Sequence, residues 1–249
     1  MKRATRWRIA VIAGAVAMLE AACRAGSVPA FTVIPPSAMV DALVEILRSG
    51  KYTTDIVATL SNVGIAIVVS TIAGVLLGTV LQSLPGVRRT LDPLLATYYA
   101  IPMYAFYPLL LVIFGLNDLP QIAIGVLLAL MAVVINTLNG LDRVPRVLLK
   151  AARMHRMGFL RTALQIRLPF AAPYVFTGFK LAVAYAFVGV IGAEFITSSR
   201  GIGYEISFAY NNFDNRVMYG LILFVLAVVT TVNMALYAWE TRLLARRRG

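Results

Sequence analysis

Long apolar runs separated by short polar or basic stretches pattern this chain from end to end. A helix needs roughly 20 apolar residues to cross a bilayer core. Six segments answer to that, at about 8–24, 55–83, 94–115, 120–140, 173–196 and 217–239. The first is apolar from Ile9 to Leu19 and is then interrupted by Glu20. The alternation that marks membrane barrel strands is absent from the sequence. A backbone in lipid must satisfy its own hydrogen bonds, so the expected class is an all-α polytopic membrane protein with six transmembrane helices. The expected organisation is a helix plus an external amphipathic segment over 1–52, then a five-helix core over 53–249 that carries a cytoplasmic loop at about 141–172.

Composition supports the class: 60% of the residues are hydrophobic and 14% charged, against about 45–50% and 25% for soluble domains. The net charge of +12 invites a nucleic-acid reading, but the basic residues sit at the borders of apolar runs. Lys2, Arg3, Arg6 and Arg8 open the chain, Arg88 and Arg89 follow the second run, and Arg143 to Arg167 form a basic stretch after the fourth. Arg242, Arg246, Arg247 and Arg248 close it. Because cytoplasmic loops carry the excess of lysine and arginine, both termini are expected in the cytoplasm. A basic start before an apolar core also suits a cleaved signal peptide. With no clean small-x-small pair after Leu19, a retained helix is expected.

Between the first two runs, Pro35-Pro36-Ser37 predicts a helix start with Ser37 as N-cap, continuing to about Arg48. Val40, Leu43, Val44 and Leu47 share one face of it, as in a helix lying on a membrane surface.

Ionisable groups inside spans are costly and draw a functional reading. Glu194, near the outer end of the fifth run, either lines or gates a path or serves as a structural carboxylate; the sequence leaves both open. Lys180, in the same run, is expected to snorkel to the headgroups. Tyr98, Tyr104 and Tyr107 cluster around Pro102 and Pro108 in the third run and are candidates to line a translocation path. Gly74 and Gly78 form a small-xxx-small pair suited to close helix crossing.

Catalytic machinery is missing. No phosphate-cradling G-x4-G-K-[ST] loop occurs, since Gly50-Lys51 is followed by Tyr52. One histidine, His155, and one cysteine, Cys23, build neither a metal site nor a nucleophilic triad. The chain is not expected to be an enzyme or to bind a cofactor, and energy for transport would come from another chain.

The stretch from Lys150 to Pro169 reads KAARMHRMGFLRTALQIRLP. It resembles the E-A-A-x3-G-x9-I-x-L-P signature of binding-protein-dependent ABC importer permeases. Ala151 and Ala152 take the alanine places, Ile166 the isoleucine, and Leu168-Pro169 the closing pair. Two positions depart: Lys150 stands where that family usually has Glu, and Arg156 where it usually has Gly, with Gly158 two residues on. The replacement at 156 removes the residue expected to bend the loop. Further fragments fit the nitrate, sulfonate and taurine permease branch: Leu91-Asp92-Pro93, Ile101-Pro102, Tyr107-Pro108-Leu109, Phe114-Gly115-Leu116, Asn136-Thr137, Thr177-Gly178, Ala193-Glu194 and Gly201-Ile202-Gly203-Tyr204.

The resemblance implies a type I importer architecture in a bacterial inner membrane. It implies two ABC ATPase subunits that carry the ATP and Mg, a second permease copy, and an extracytoplasmic solute-binding protein. By that resemblance Lys150, Ala151, Ala152, Arg153, Arg156, Gly158, Ile166, Leu168 and Pro169 belong to the ATPase-coupling loop. Gly201, Gly203 and Tyr204 belong to the face that meets the binding protein. The solute implied is small, such as an oxyanion, a sulfonate or a vitamin precursor.

Overall fold

The computed structural model describes residues 2–29 and 31–246, with side chains described for 6, 7, 10–29 and 31–241. Arg247 and Arg248, and the side chains of Lys2, Arg3, Arg8, Arg242 and Arg246, all counted above among the basic border residues, lie outside the described residues. Among those described, every regular element is helical. In chain order they are α1 (Lys2–Arg24), α2 (Pro36–Ser49), α3 (Thr53–Ser83), α4 (Pro85–Thr97), α5 (Tyr107–Phe114) and α6 (Leu119–Asp142). Then come α7 (Arg146–Met154), α8 (Phe159–Thr162), α9 (Leu168–Ile196), α10 (Ile202–Asn211) and α11 (Asn215–Arg246).

Among the described residues, four helical runs are long and apolar enough to cross a membrane: Thr53–Ser83, Leu119–Asp142, Phe159–Ile196 and Asn215–Thr241. A fifth exists only as a bent pair, Pro85–Ala100 and Met103–Phe114, whose arms meet at 91°. The first of the six predicted spans is a helix, α1, whose opening side chains lie outside the described residues. One expectation changes: the third span is not one helix over 94–115. Pro102 has no N–H to donate and pushes the residue before it out of helical geometry, and Ile101 is accordingly extended at φ −76°, ψ 124°. Short 3₁₀ turns flank the break, at Tyr98–Ala100 and Met103–Phe106.

The chain forms two compact units, Met1–Ala58 with Glu194–Thr230, and Thr59–Ala193 with Thr231–Gly249. In the first, Ile46 of α2 and Tyr52 pack with Ile202, Ile206 and Ala209 of α10 and Met218 and Leu221 of α11. The α2 start is corrected: Pro35 is the capping residue and Pro36 opens the helix without a side-chain cap. The Ser37 hydroxyl instead donates to Glu20 Oε1 at 2.7 Å, and its N–H to Oε2 at 3.0 Å. The face of α2 that is buried is that of Ala42 and Ile46, against Gly220, while Val40, Val44 and Leu47 of the predicted apolar face stay exposed.

In the second unit, α3 lies on α6 where Gly74 faces Val133 and Gly78 faces Thr137; a Cβ at Gly74 would stand 2.6 Å from Val133 Cβ. The small-xxx-small pair thus does what its spacing predicts: absent side chains let two backbones close in. The α6–α9 crossing uses the same device, with Gly189 against Gly125. Arg88 of α4 donates two hydrogen bonds to Asp142 at the end of α6, at 2.7 and 2.6 Å.

Candidate functional site

The loop after α6 is built from short helices. Pro145 precedes α7, whose amphipathic pattern buries Ala152 and leaves Val147, Lys150, Ala151 and Met154 exposed. Val147, Ala151 and Met154 fall at i, i+4 and i+7 and so lie on one face. Val147 is 74% and Met154 85% exposed. Ala152 points the other way, which corrects the expectation that both alanines meet a partner. Helix α7 ends as the Met157 N–H reaches back to the Ala152 carbonyl at 3.0 Å and the His155 N–H to Ala151 at 3.0 Å.

Arg156 closes that turn with φ +48°. The left-handed conformation that glycine usually supplies at a helix C-terminus is kept, carried by an arginine. The bend is therefore present despite the substitution. Gly158 is extended and precedes α8. Ile166 sits in a π-helical turn, Ala163–Arg167, that leads into α9 at Leu168. Ile166 and Leu168 are half-buried and Pro169 is exposed. Lys150, Arg153 and Arg156 make no ion pair among the described residues. The loop thus presents an apolar stripe flanked by unpaired cations.

The tyrosines around the break are anchored. The Tyr98 hydroxyl donates to the Leu127 carbonyl of α6 at 2.8 Å, and that of Tyr104 to the Val188 carbonyl of α9 at 2.6 Å. Gly192 makes room for the Tyr104 ring; a Cβ there would collide with the Tyr104 hydroxyl. Tyr107 is 1% exposed and packs with Ile124 and Ala193 in the core. Tyr99 and Phe106 stay exposed at the break, and the Tyr99 ring stacks on Tyr185 of α9 at 5.2 Å. Tyr185 was not singled out from the sequence. Its signal was weak, a lone tyrosine in an apolar run, and only the fold sets it against the break.

Glu194 is 1% exposed. Its Oε2 accepts the Gly203 N–H at 3.0 Å, while the Gly201 N–H donates to Asp55 Oδ1 at 2.8 Å. Gly201 has φ +104°. The two carboxylates hold the turn between α9 and α10 by its backbone. Gly201 and Gly203 are themselves buried, Tyr204 is half-buried, and exposed surface lies at Phe208, Tyr210 and Phe213. Burial beside Asp55 raises the Glu205 carboxyl above its ordinary value of 4.5, an effect that Lys51 opposes. Lys180 donates to Glu240 of α11 within an ion pair, a partner the sequence reading missed because the two are 60 positions apart.

The chain belongs to the family of binding-protein-dependent transport system inner membrane components, whose model matches residues 70–249. It is 29% identical over 178 residues to the nitrate import permease protein NrtB of Leptolyngbya laminosa, covering 72% of this chain and 64% of that one. It is 28% identical over 195 residues to the putative aliphatic sulfonates transport permease protein SsuC of Bacillus subtilis, covering 78% of this chain and 71% of that one. The chain thus spans about two thirds of the length of these relatives. Its fold matches a chain of the MetNI methionine ABC transporter with a TM-score of 0.66 at 16% identity, over 77% of this chain and 95% of the other. The architecture is that of a type I importer permease in the inner membrane.

Proposed function

We propose that this chain is the permease subunit of an ABC importer that takes up a small solute by alternating access. ATP and Mg are held, and ATP hydrolysed, by two separate ATPase subunits. The observation that carries the reading is the α7–α8 loop, where an apolar stripe of Val147, Ala151 and Met154 stands exposed among unpaired Lys150, Arg153 and Arg156. Exposed apolar surface rimmed by polar residues marks a protein-binding face. The left-handed turn at Arg156 fixes its shape, and Ile166, Leu168 and Pro169 join it to α9.

Two copies of the chain enclose the path, with both termini and this loop in the cytoplasm. A solute-binding protein docks at the Gly201–Gly203 turn, which Glu194 and Asp55 hold, with Tyr204 and the exposed Phe208, Tyr210 and Phe213 following it in the chain. The broken span, with Tyr98, Tyr104 and Tyr107 anchoring it and Tyr99 stacked on Tyr185, supplies irregular backbone at membrane depth. Such backbone is tolerated where it lines a cavity or is buried in protein. A nitrate-like oxyanion or a sulfonate fits the named relatives.

The test is co-purification from native membranes in mild detergent, comparing the natural chain with Ala151→Asp, an exposed position whose change spares the buried Ala152. An ATPase that accompanies the natural chain and is lost from the variant supports the reading. If no ATPase accompanies the natural chain, the reading fails.

A further inference from the structure

Within the unit of Thr59–Ala193 and Thr231–Gly249, helices α3, α9 and α11 leave an open-sided groove of about 410 Å³. Thr71, Val75, Leu168, Val175, Phe176 and Trp239 line it, so its wall is apolar but for one hydroxyl. All three helices are membrane spans, and on α11 only 6% of the most apolar stretch is buried. Trp239 meets Phe176 edge-on at 5.5 Å and remains 54% exposed.

The groove has a depth and a charge. Along α9 its lining runs from Leu168 to Phe179, about 16 Å at ~1.5 Å per residue. That is the hydrocarbon depth of one leaflet, ~15 Å of a ~30 Å core. At the loop end, Leu168 follows Arg167, which is half-buried and whose side chain has no ion pair or hydrogen bond among the described residues. Arg143 lies over the Tyr174 ring at 5.2 Å. Lys180, farther in, is neutralised by Glu240. The charge left uncompensated at the loop end of the groove is therefore positive.

We propose that this groove holds an acyl chain of an anionic phospholipid, from the leaflet on the side of the α7–α8 loop, with the lipid phosphate taken by Arg167. A second copy of the chain would need an apolar ridge to fill the furrow and an acid to meet the arginine. One lipid supplies a tail of the right length and a phosphate at the right depth. Basic sites between helices at a membrane border recruit anionic headgroups, and tryptophan favours headgroup depth. The proposal needs only that the chain is embedded in a bilayer. It stands or falls separately from the ATPase partnership.

The sequence holds two tryptophans, Trp7 and Trp239, so Trp7→Phe leaves Trp239 as sole indole reporter. That variant is reconstituted in phosphatidylcholine vesicles containing either brominated-chain phosphatidylglycerol or brominated-chain phosphatidylcholine at equal mole fraction. Quenching by the glycerol lipid is expected with about five-fold preference, the order expected for one basic residue meeting an anionic lipid. The preference is expected to vanish in Arg167→Gln and to persist in Arg167→Lys, which controls for folding. Equal quenching by the two lipids means bulk bilayer contact only, and absence of quenching means a protein covers the groove; either overturns the proposal. So does a preference that survives Arg167→Gln.

Discussion

The Glu194 carboxylate and the Gly201 backbone lie so close that a Cβ on residue 201 would stand 2.5 Å from the Glu194 carboxyl carbon. Glu194 also holds the Gly203 N–H, so a buried acid and two glycines form one turn at the C-terminal end of α9. Gly201→Ala is expected to fail twice, on that contact and on its φ of +104°. The cost is about 1–3 kcal/mol, read as a lower Tm in detergent, and binding-protein capture weakens with it. A variant as stable as the natural chain would show that the turn shifts at no cost.

Glu205 supplies a pH dependence. Its folded carboxyl binds its proton more tightly than the unfolded one, chiefly through burial and then through Asp55. Its contribution to stability is therefore fully present below the ordinary value of 4.5 and is lost as pH rises through the raised folded value. Thermal scans across this range should show Glu205→Gln gaining on the natural chain as pH rises, because glutamine carries no charge to desolvate. A constant difference at all pH values would remove Glu205 from the account.

Arg156 occupies a left-handed turn that costs a side-chain-bearing residue more than glycine. Arg156→Gly should stabilise the loop by about 0.5–1 kcal/mol, seen as slower proteolysis between α7 and α8. Arg156→Val should do the opposite and by more, since a β-branched residue tolerates positive φ worst. Partner binding should follow the shape of the turn, so the glycine variant keeps it and the valine variant loses it.

The Lys180–Glu240 pair joins α9 to α11 with side chains 26% and 20% exposed. Lys180→Met leaves an acid unpaired among apolar helices. The expected loss is on the order of 1–3 kcal/mol, below the fully buried case because water reaches part of the pair. The double variant Lys180→Met with Glu240→Met should recover most of it. Unfolding in a double-mutant cycle measures the coupling, and additive losses would mean the two residues act independently.

The sequence by itself determined what depends on composition and short spacing. Apolar length marked six candidate spans, because lipid leaves a backbone no other partner for its hydrogen bonds. The proline and glycine spacing from Lys150 to Pro169 marked a structured loop, and Gly74 with Gly78 announced a helix crossing, since a missing side chain acts wherever two helices meet. The tertiary structure decided what depends on direction and on distant neighbours. It turned the third run through 91° at Ile101-Pro102 and aimed Ala152 inward while leaving Ala151 exposed. It gave Lys180 a partner in Glu240, and it buried Tyr107 while stacking Tyr99 on Tyr185. Two adjacent alanines look alike in a sequence, and only packing tells them apart. Period and composition say that a side chain is apolar or charged; which surface it meets is set by chain segments far away in sequence.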